Sequence, residues 1–191
     1  MGQAAHDDVS PPSRRAAGWS AAEAAALGAD LVQHILLVTD GTVTNVLEAY
    51  AGERINVIKL RQTTEPAGLS VTDLEVQESD EVMHREVLLT GRDSGRTFVY
   101  ALSQIVPDRL DPEMRRGLLE SLKPIGRLFE ENRVETFREI LAAGREPAGA
   151  RSVHFGIERA APLISRTYRI IARGRPIMLI TEKFPADAFG A

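Results

Sequence analysis

An α+β fold built on a single antiparallel sheet is predicted by three features of this chain. Its apolar runs come as neighbouring strand pairs joined by tight turns. Its helical stretches are segregated at the front and in the middle. The strand–helix–strand alternation that builds a parallel sheet is missing. With 191 residues, 43% of them hydrophobic and 26% charged, the chain has the size and balance of one sizeable globular domain.

Residues 1–18 are polar, with Ser-Pro-Pro and Arg-Arg, and read as a disordered tail ahead of a single domain over 19–191. "SAAEAAALGADLVQHILL" places Ser20 three residues before Glu23, a capping-box spacing that predicts one alanine-rich helix. A turn at Asp40–Gly41 follows, then a short helix from about Thr44 to Tyr50 ending near Gly52. "RINVIKLRQT" alternates as a strand over Arg54–Thr63, and the next stretch is a loop with an ordered piece around Val71–Val76. Glu81–Thr90 and Thr97–Val106 form a hairpin turned by Arg92–Asp93–Ser94–Gly95. Pro112 suits the first turn of a helix capped by Asp111. A second helical piece follows "KPIG", and "VETFREILAAG" reads as a third helix closed by Gly144. Residues 145–163 read as an irregular linker. The chain closes with a hairpin whose strands meet at Arg173–Gly174–Arg175.

Composition removes whole classes of chemistry. No cysteine is present, so disulfides, thiol nucleophiles and cysteine metal sites are excluded. The four histidines are scattered and none has a second ligand at metal spacing, so no metal site is expected. His34 reads as a core or boundary residue. No P-loop, GxGxxG, HExxH or GxSxG stands in the sequence. The net charge of -4, without a dense basic run, argues against a nucleic-acid partner. The apolar runs are too short for a membrane span, and the N-terminus lacks the apolar core of a secretory signal. A cytoplasmic monomer is the default expectation.

What remains are charges on apolar strand faces. Arg85 shares a face with Met83, Val87 and Leu89, and Glu182 with Met178, Ile180 and Phe184. A buried charge is costly unless paired or given a charged ligand. One reading makes Arg85 and Glu182 a structural salt bridge or strand-end residues. The other makes them a pocket, with a guanidinium fork for a carboxylate and a desolvated acid able to handle a proton near neutral pH.

Four stretches, "DGTVTNVLEA", "VMHREVLLTGR", "LKPIGRLF" and "RTYRIIARGRPIMLITEKFP", resemble the chorismate pyruvate-lyase family, covering about Leu36 to Pro185. The resemblance implies an antiparallel sheet with helices packed on one side and helical flaps over an internal ligand cavity. It implies cofactor-free cleavage of chorismate to 4-hydroxybenzoate and pyruvate. It casts Arg85 as the clamp on the ring carboxylate and Glu182 as the acid facing the ring's 4-oxygen, with backbone amides of Val43 and Ile125 touching the ligand. Some members carry an arginine where this chain has Ser103. The enolpyruvyl carboxylate then needs another cation; Arg61, on the same strand face as Lys59, ranks first, with Lys123 and Arg127 as further candidates. The alternatives are a non-catalytic, sensor-like domain of the same shape that binds a small aromatic acid, a lyase for a chorismate derivative, and a purely structural pair.

Overall fold

The computed structural model describes residues 21–39, 41–68, 72–120 and 123–189. The expected disordered tail and Ser20 lie outside them. The sheet has six strands: β1 (Ile55–Pro66), β2 (Glu81–Gly91), β3 (Thr97–Ile105), β4 (Phe137–Pro147), β5 (Pro162–Ala172) and β6 (Arg175–Pro185). Their order is β1-β2-β3-β6-β5-β4, and every neighbouring pair is antiparallel. Two halves therefore meet at the centre, one from each end of the sequence, along β3 and β6. The β5–β6 turn is as tight as expected, with positive φ at both Arg173 and Gly174, the twist that suits a two-residue hairpin.

Helices α1 (Ala21–Ala26), α2 (Leu31–Val38), α3 (Val43–Ala51), α4 (Pro112–Glu120), α5 (Ile125–Glu131) and the single turn α6 (Ser152–Phe155) complete the domain. The predicted single first helix is two helices. Gly28 adopts φ +68 and Asp30 caps a new start, its carboxylate accepting from Gln33 N–H while Gln33 Oε1 accepts from Asp30 N–H. A capping box at Asp30/Gln33 thus opens α2. Gln33 is fully buried, and its Nε2 donates to the carbonyls of Pro185 and Ala186. That amide ties α2 to the end of β6. Helix α3 ends on Gly52 in the left-handed region, as the sequence predicts.

The stretch predicted as a third middle helix is instead β4, paired along its length with β5. Its inward residues explain the misreading. Arg138, Ile140 and Ala143 sit opposite Ile170, Tyr168 and Arg166, and a bulge between Ile140 and Ala142 stretches one inward interval from two residues to three. A three-residue interval among Glu, Leu and Ala imitates a helix. The open edge of β5 decides the matter, since its backbone groups need partners. The predicted linker that follows holds a 3₁₀ turn at Gly149–Arg151 and α6.

One face of the sheet carries two apolar cores. Leu36, Leu37, Val43 and Leu47 of α2 and α3 pack with Val57, Leu89, Val99 and Phe184 at one end. Met114, Leu118, Leu128 and Phe129 of α4 and α5 pack with Met83, Ile105, Ile170 and Met178 at the other. Between these two cores the face is not filled.

Candidate active site

The gap between the cores is a partly enclosed, concave pocket, the kind of place where small-molecule sites are built. Its floor is sheet: Val57, Arg85, Val87, Ala101, Ser103, Ile180, Glu182 and Tyr168. Strand β3 supplies its smallest side chains here. Ala101 stands between Val87 and Glu182, and Ser103 between Arg85 and Ile180, so the middle of the floor is low while its flanks are high. The roof is formed by the first residues of two helices, Thr42–Val43–Thr44 at α3 and Pro124–Ile125–Gly126 at α5. Neither start is closed by a side-chain cap. The first backbone hydrogen bonds of these helices start at Asn45 and Arg127, so the amides of Val43, Thr44, Ile125 and Gly126 precede the helical ladder and are left as donors at the roof.

Arg85 and Glu182 both line this cavity but do not bond each other. They stand two strands apart and two residues out of register, roughly 12 Å between backbones at ordinary strand spacing and rise. The salt bridge considered for Arg85 belongs to Arg166. Its Nε donates to Glu182 Oε2 at 2.8 Å, and its Nη1 to the Thr39 carbonyl at 3.0 Å. The Tyr168 hydroxyl donates to the other carboxylate oxygen at 3.1 Å. Burial works against the Arg166 charge, but the adjacent Glu182 carboxylate and Tyr168 together outweigh it and the pKa is raised. Tyr168 is pushed up by its burial and by the same carboxylate, so it stays a donor. Arg166 escaped the sequence reading although its signal was the same as that of Arg85: an arginine among Ile164, Tyr168 and Ile170 on an inward strand face.

Arg85 is different. It is only 2% exposed, and its Nε and Nη2 are buried without any hydrogen-bond partner. Burial alone drives its pKa down, with no carboxylate beside it to reverse the shift. A guanidinium left in this state costs stability unless something anionic arrives.

Val43 and Ile125, the two residues whose amides the resemblance assigns to the ligand, both line the roof. Arg61 does not reach the cavity. A bulge between Lys59 and Arg61 shifts the register, so that Lys59 lies opposite Val87 and Arg61 opposite Glu86, whose row faces away. Both are exposed. Arg127 is held by Glu48 at 2.6 Å, and Lys123 by Glu131 at 2.7 Å. The Arg127–Glu48 bridge instead pins α5 to α3, as does Asn45 donating to Glu130 at 2.9 Å. The further cation in the cavity wall is Arg138 of β4, invisible while that segment read as helix. Among the described residues, no three His, Asp or Glu side chains stand together as metal ligands.

A family model described as "Chorismate pyruvate-lyase Rv2949c-like" matches residues 37–189. The chain is 32% identical over 156 residues to a chorismate pyruvate-lyase of Mycobacterium leprae, covering 81% of this chain and 74% of that one. It is 30% identical over 160 residues to the enzyme of the same name from Mycobacterium tuberculosis, covering 81% and 80%. Among solved structures, the effector domain of PhnF from Mycobacterium smegmatis superposes with a TM-score of 0.62 at 16% identity, covering 77% of this chain and 90% of that one. At that identity the likeness concerns the fold.

Proposed function

The chain belongs to the chorismate pyruvate-lyase family, and on that premise we propose that it cleaves chorismate to 4-hydroxybenzoate and pyruvate in the cavity between its two cores. The observation that carries this reading is Arg85, a buried guanidinium with two unpaired donors in the lining of the pocket between the cores. It is matched to a carboxylate held as a fork.

The reaction breaks the ring carbon–oxygen bond to the enolpyruvyl group and the carbon–hydrogen bond next to it. The C–H electron pair enters the ring, which becomes aromatic, and the C–O pair leaves on the enolpyruvate oxygen. One proton then converts the enolpyruvate methylene into the methyl group of pyruvate. Aromatisation supplies the driving force, so the reading needs no metal or organic cofactor. The protein's share is to bind, orient and exclude water. Arg85 fixes the ring carboxylate. The ring then lies over Ala101 and Ser103, with its far end toward Glu182.

Glu182 sits in a setting more polar than the apolar one the sequence suggested. With Arg166 and Tyr168 already bonded to it, it is proposed to accept a hydrogen bond from the ring's 4-hydroxyl. That hydroxyl starts as an alcohol and ends as a phenol, which is more acidic. The bond therefore strengthens along the reaction, favouring the transition state over the substrate. The amides of Val43 and Ile125 would hold the ligand from above.

The decisive assay follows pyruvate and 4-hydroxybenzoate together from chorismate, with EDTA added. Equimolar appearance of both is expected. Tight binding of 4-hydroxybenzoate without turnover would sink the lyase reading in favour of a sensor-like domain.

The roof also yields a prediction. A Cβ built on Gly126 would overlap Thr42 Cγ2 and crowd Thr42 Cβ, so Gly126→Ala must displace the Thr42 side chain and loosen the contact between the two roof segments. Product escape by stopped-flow fluorescence is expected to quicken about tenfold, equivalent to about 1.4 kcal/mol. An unchanged release rate would mean that the roof does not gate the cavity.

A further inference from the structure

The acid in the floor and the roof above it share one fastening. Arg166 stands on β5 directly opposite Glu182 and is sealed from solvent. Its Nε donates to Glu182 Oε2 and its Nη1 to the Thr39 carbonyl. Thr39 closes α2, and its hydroxyl accepts from the Gly41 N–H at 3.0 Å. The next residue, Thr42, opens the roof. A single guanidinium therefore reaches both the floor acid and the root of the roof.

The group is planar, so its N–H donors keep fixed directions relative to one another. Nη2 is buried without a hydrogen-bond partner. The plane is thus set by the two bonds and by the Tyr168 ring, whose centroid lies 4.8 Å from the guanidinium carbon. Tilting it toward one acceptor draws it off the other. The bond to the carboxylate is charge-assisted and the bond to the carbonyl is not, so when they compete the carbonyl is released. The other fastenings of the roof, Arg127 to Glu48 and Asn45 to Glu130, run from helix to helix. Neither reaches the floor as Arg166 does.

We propose that Arg166 is a positioning residue for the roof as well as the counter-charge of the acid. It sets the height of the Val43 amide above Glu182, so that a ligand meets both contacts together or neither. The inference takes from the lyase reading only the idea that these two groups touch the ligand. Its consequence is a coupling between floor and roof. Drawing the carboxylate back pulls the guanidinium after it, and the roof loosens at Thr42 although the bonds of Glu182 go to Arg166 and Tyr168.

Hydrogen exchange of the ligand-free protein tests this, read by NMR at the Asn45 amide, which donates to the Thr42 carbonyl at 3.0 Å and so reports the first turn behind the roof. Arg166→Lys and Glu182→Asp both keep the buried charge pair, but neither can span carboxylate and carbonyl as the long fork does. In each, exchange at Asn45 is expected to quicken about tenfold beyond any change at Leu88 and Tyr100 in the sheet interior. Either variant carries the test if the other does not fold. Combining them should add less than about twofold, because both act through one link. Tyr168→Phe takes the other bond from Glu182 and none from Thr39, and should leave Asn45 within about twofold. Exchange at Asn45 that stays unchanged, rises only as much as in the sheet, or multiplies in the double variant overturns the proposal. Since no ligand is present, absence of chorismate turnover would overturn the lyase reading and leave this result standing. Turnover by a protein whose Asn45 is indifferent to Arg166 would do the reverse.

Discussion

Arg85→Met is expected to abolish ligand binding while making the empty protein more stable, two effects of opposite sign from one substitution. Arg85 is sealed in the floor, lacks any acceptor at Nε and Nη2, and has its pKa lowered by burial alone. Exchanging a charge held at such cost for an apolar side chain of similar length should raise stability by about 1–4 kcal/mol, by analogy with buried ionic groups replaced by hydrophobic ones. The same exchange leaves the ligand's carboxylate buried without a partner, which should weaken 4-hydroxybenzoate binding on the order of 10²–10³-fold. Urea denaturation and titration calorimetry read the two effects separately. If stability fell by several kcal/mol while affinity survived, Arg85 would be a structural residue.

Glu182→Gln should behave in the contrary way and damage both properties. Its carboxylate is the counter-charge of Arg166, itself only 1% exposed. Neutralising one partner strands the other, at about 3–5 kcal/mol. Turnover should fall about 10²–10³-fold, the usual cost of a lost group that acts on developing charge. Arg166→Met alone should destabilise similarly. The double variant Glu182→Gln/Arg166→Met removes both charges together, so most of the stability should return while turnover stays lost. Recovery of turnover in the double variant would refute a chemical role for Glu182. Failure to recover stability would show that the pair is not the main contributor there.

Much of this site could be read from the sequence because two of its charges stand on strands whose neighbours leave no doubt about their faces. Met83, Val87 and Leu89 fix the direction of Arg85, and Ile180 and Phe184 that of Glu182. Reading failed where a bulge intervened. One extra residue in β1 turned Arg61 to the far face, and one in β4 gave a strand a helical interval. Bulges depend on the partner strand, so nothing in the local pattern announces them. The split of the first helix was more legible, since Gly28 and Asp30 are an ordinary stop and start. Arg166 was also within reach. The rule that selected Arg85 selects it equally, and its pairing with Glu182 needs only the hairpin register. Arg138 required the fold, because its place in the cavity wall follows from β4 joining the sheet's edge.

The order of the strands also bears on how the protein reaches this state. Pairing of β3 with β6 brings Tyr100 opposite Lys183 and closes the longest loop in the sheet, whereas the hairpins on either side form locally. Such a distant pairing is slow, because loop entropy is lost before contacts reward it. Arg85 belongs to the early half of the chain and Glu182 to the late half. The cavity thus has no existence until the two halves dock, and docking buries an unpaired guanidinium. A ligand that spans both halves acts on that seam and should slow its parting; at a hundredfold excess over Kd it adds about 2.7 kcal/mol to the folded state.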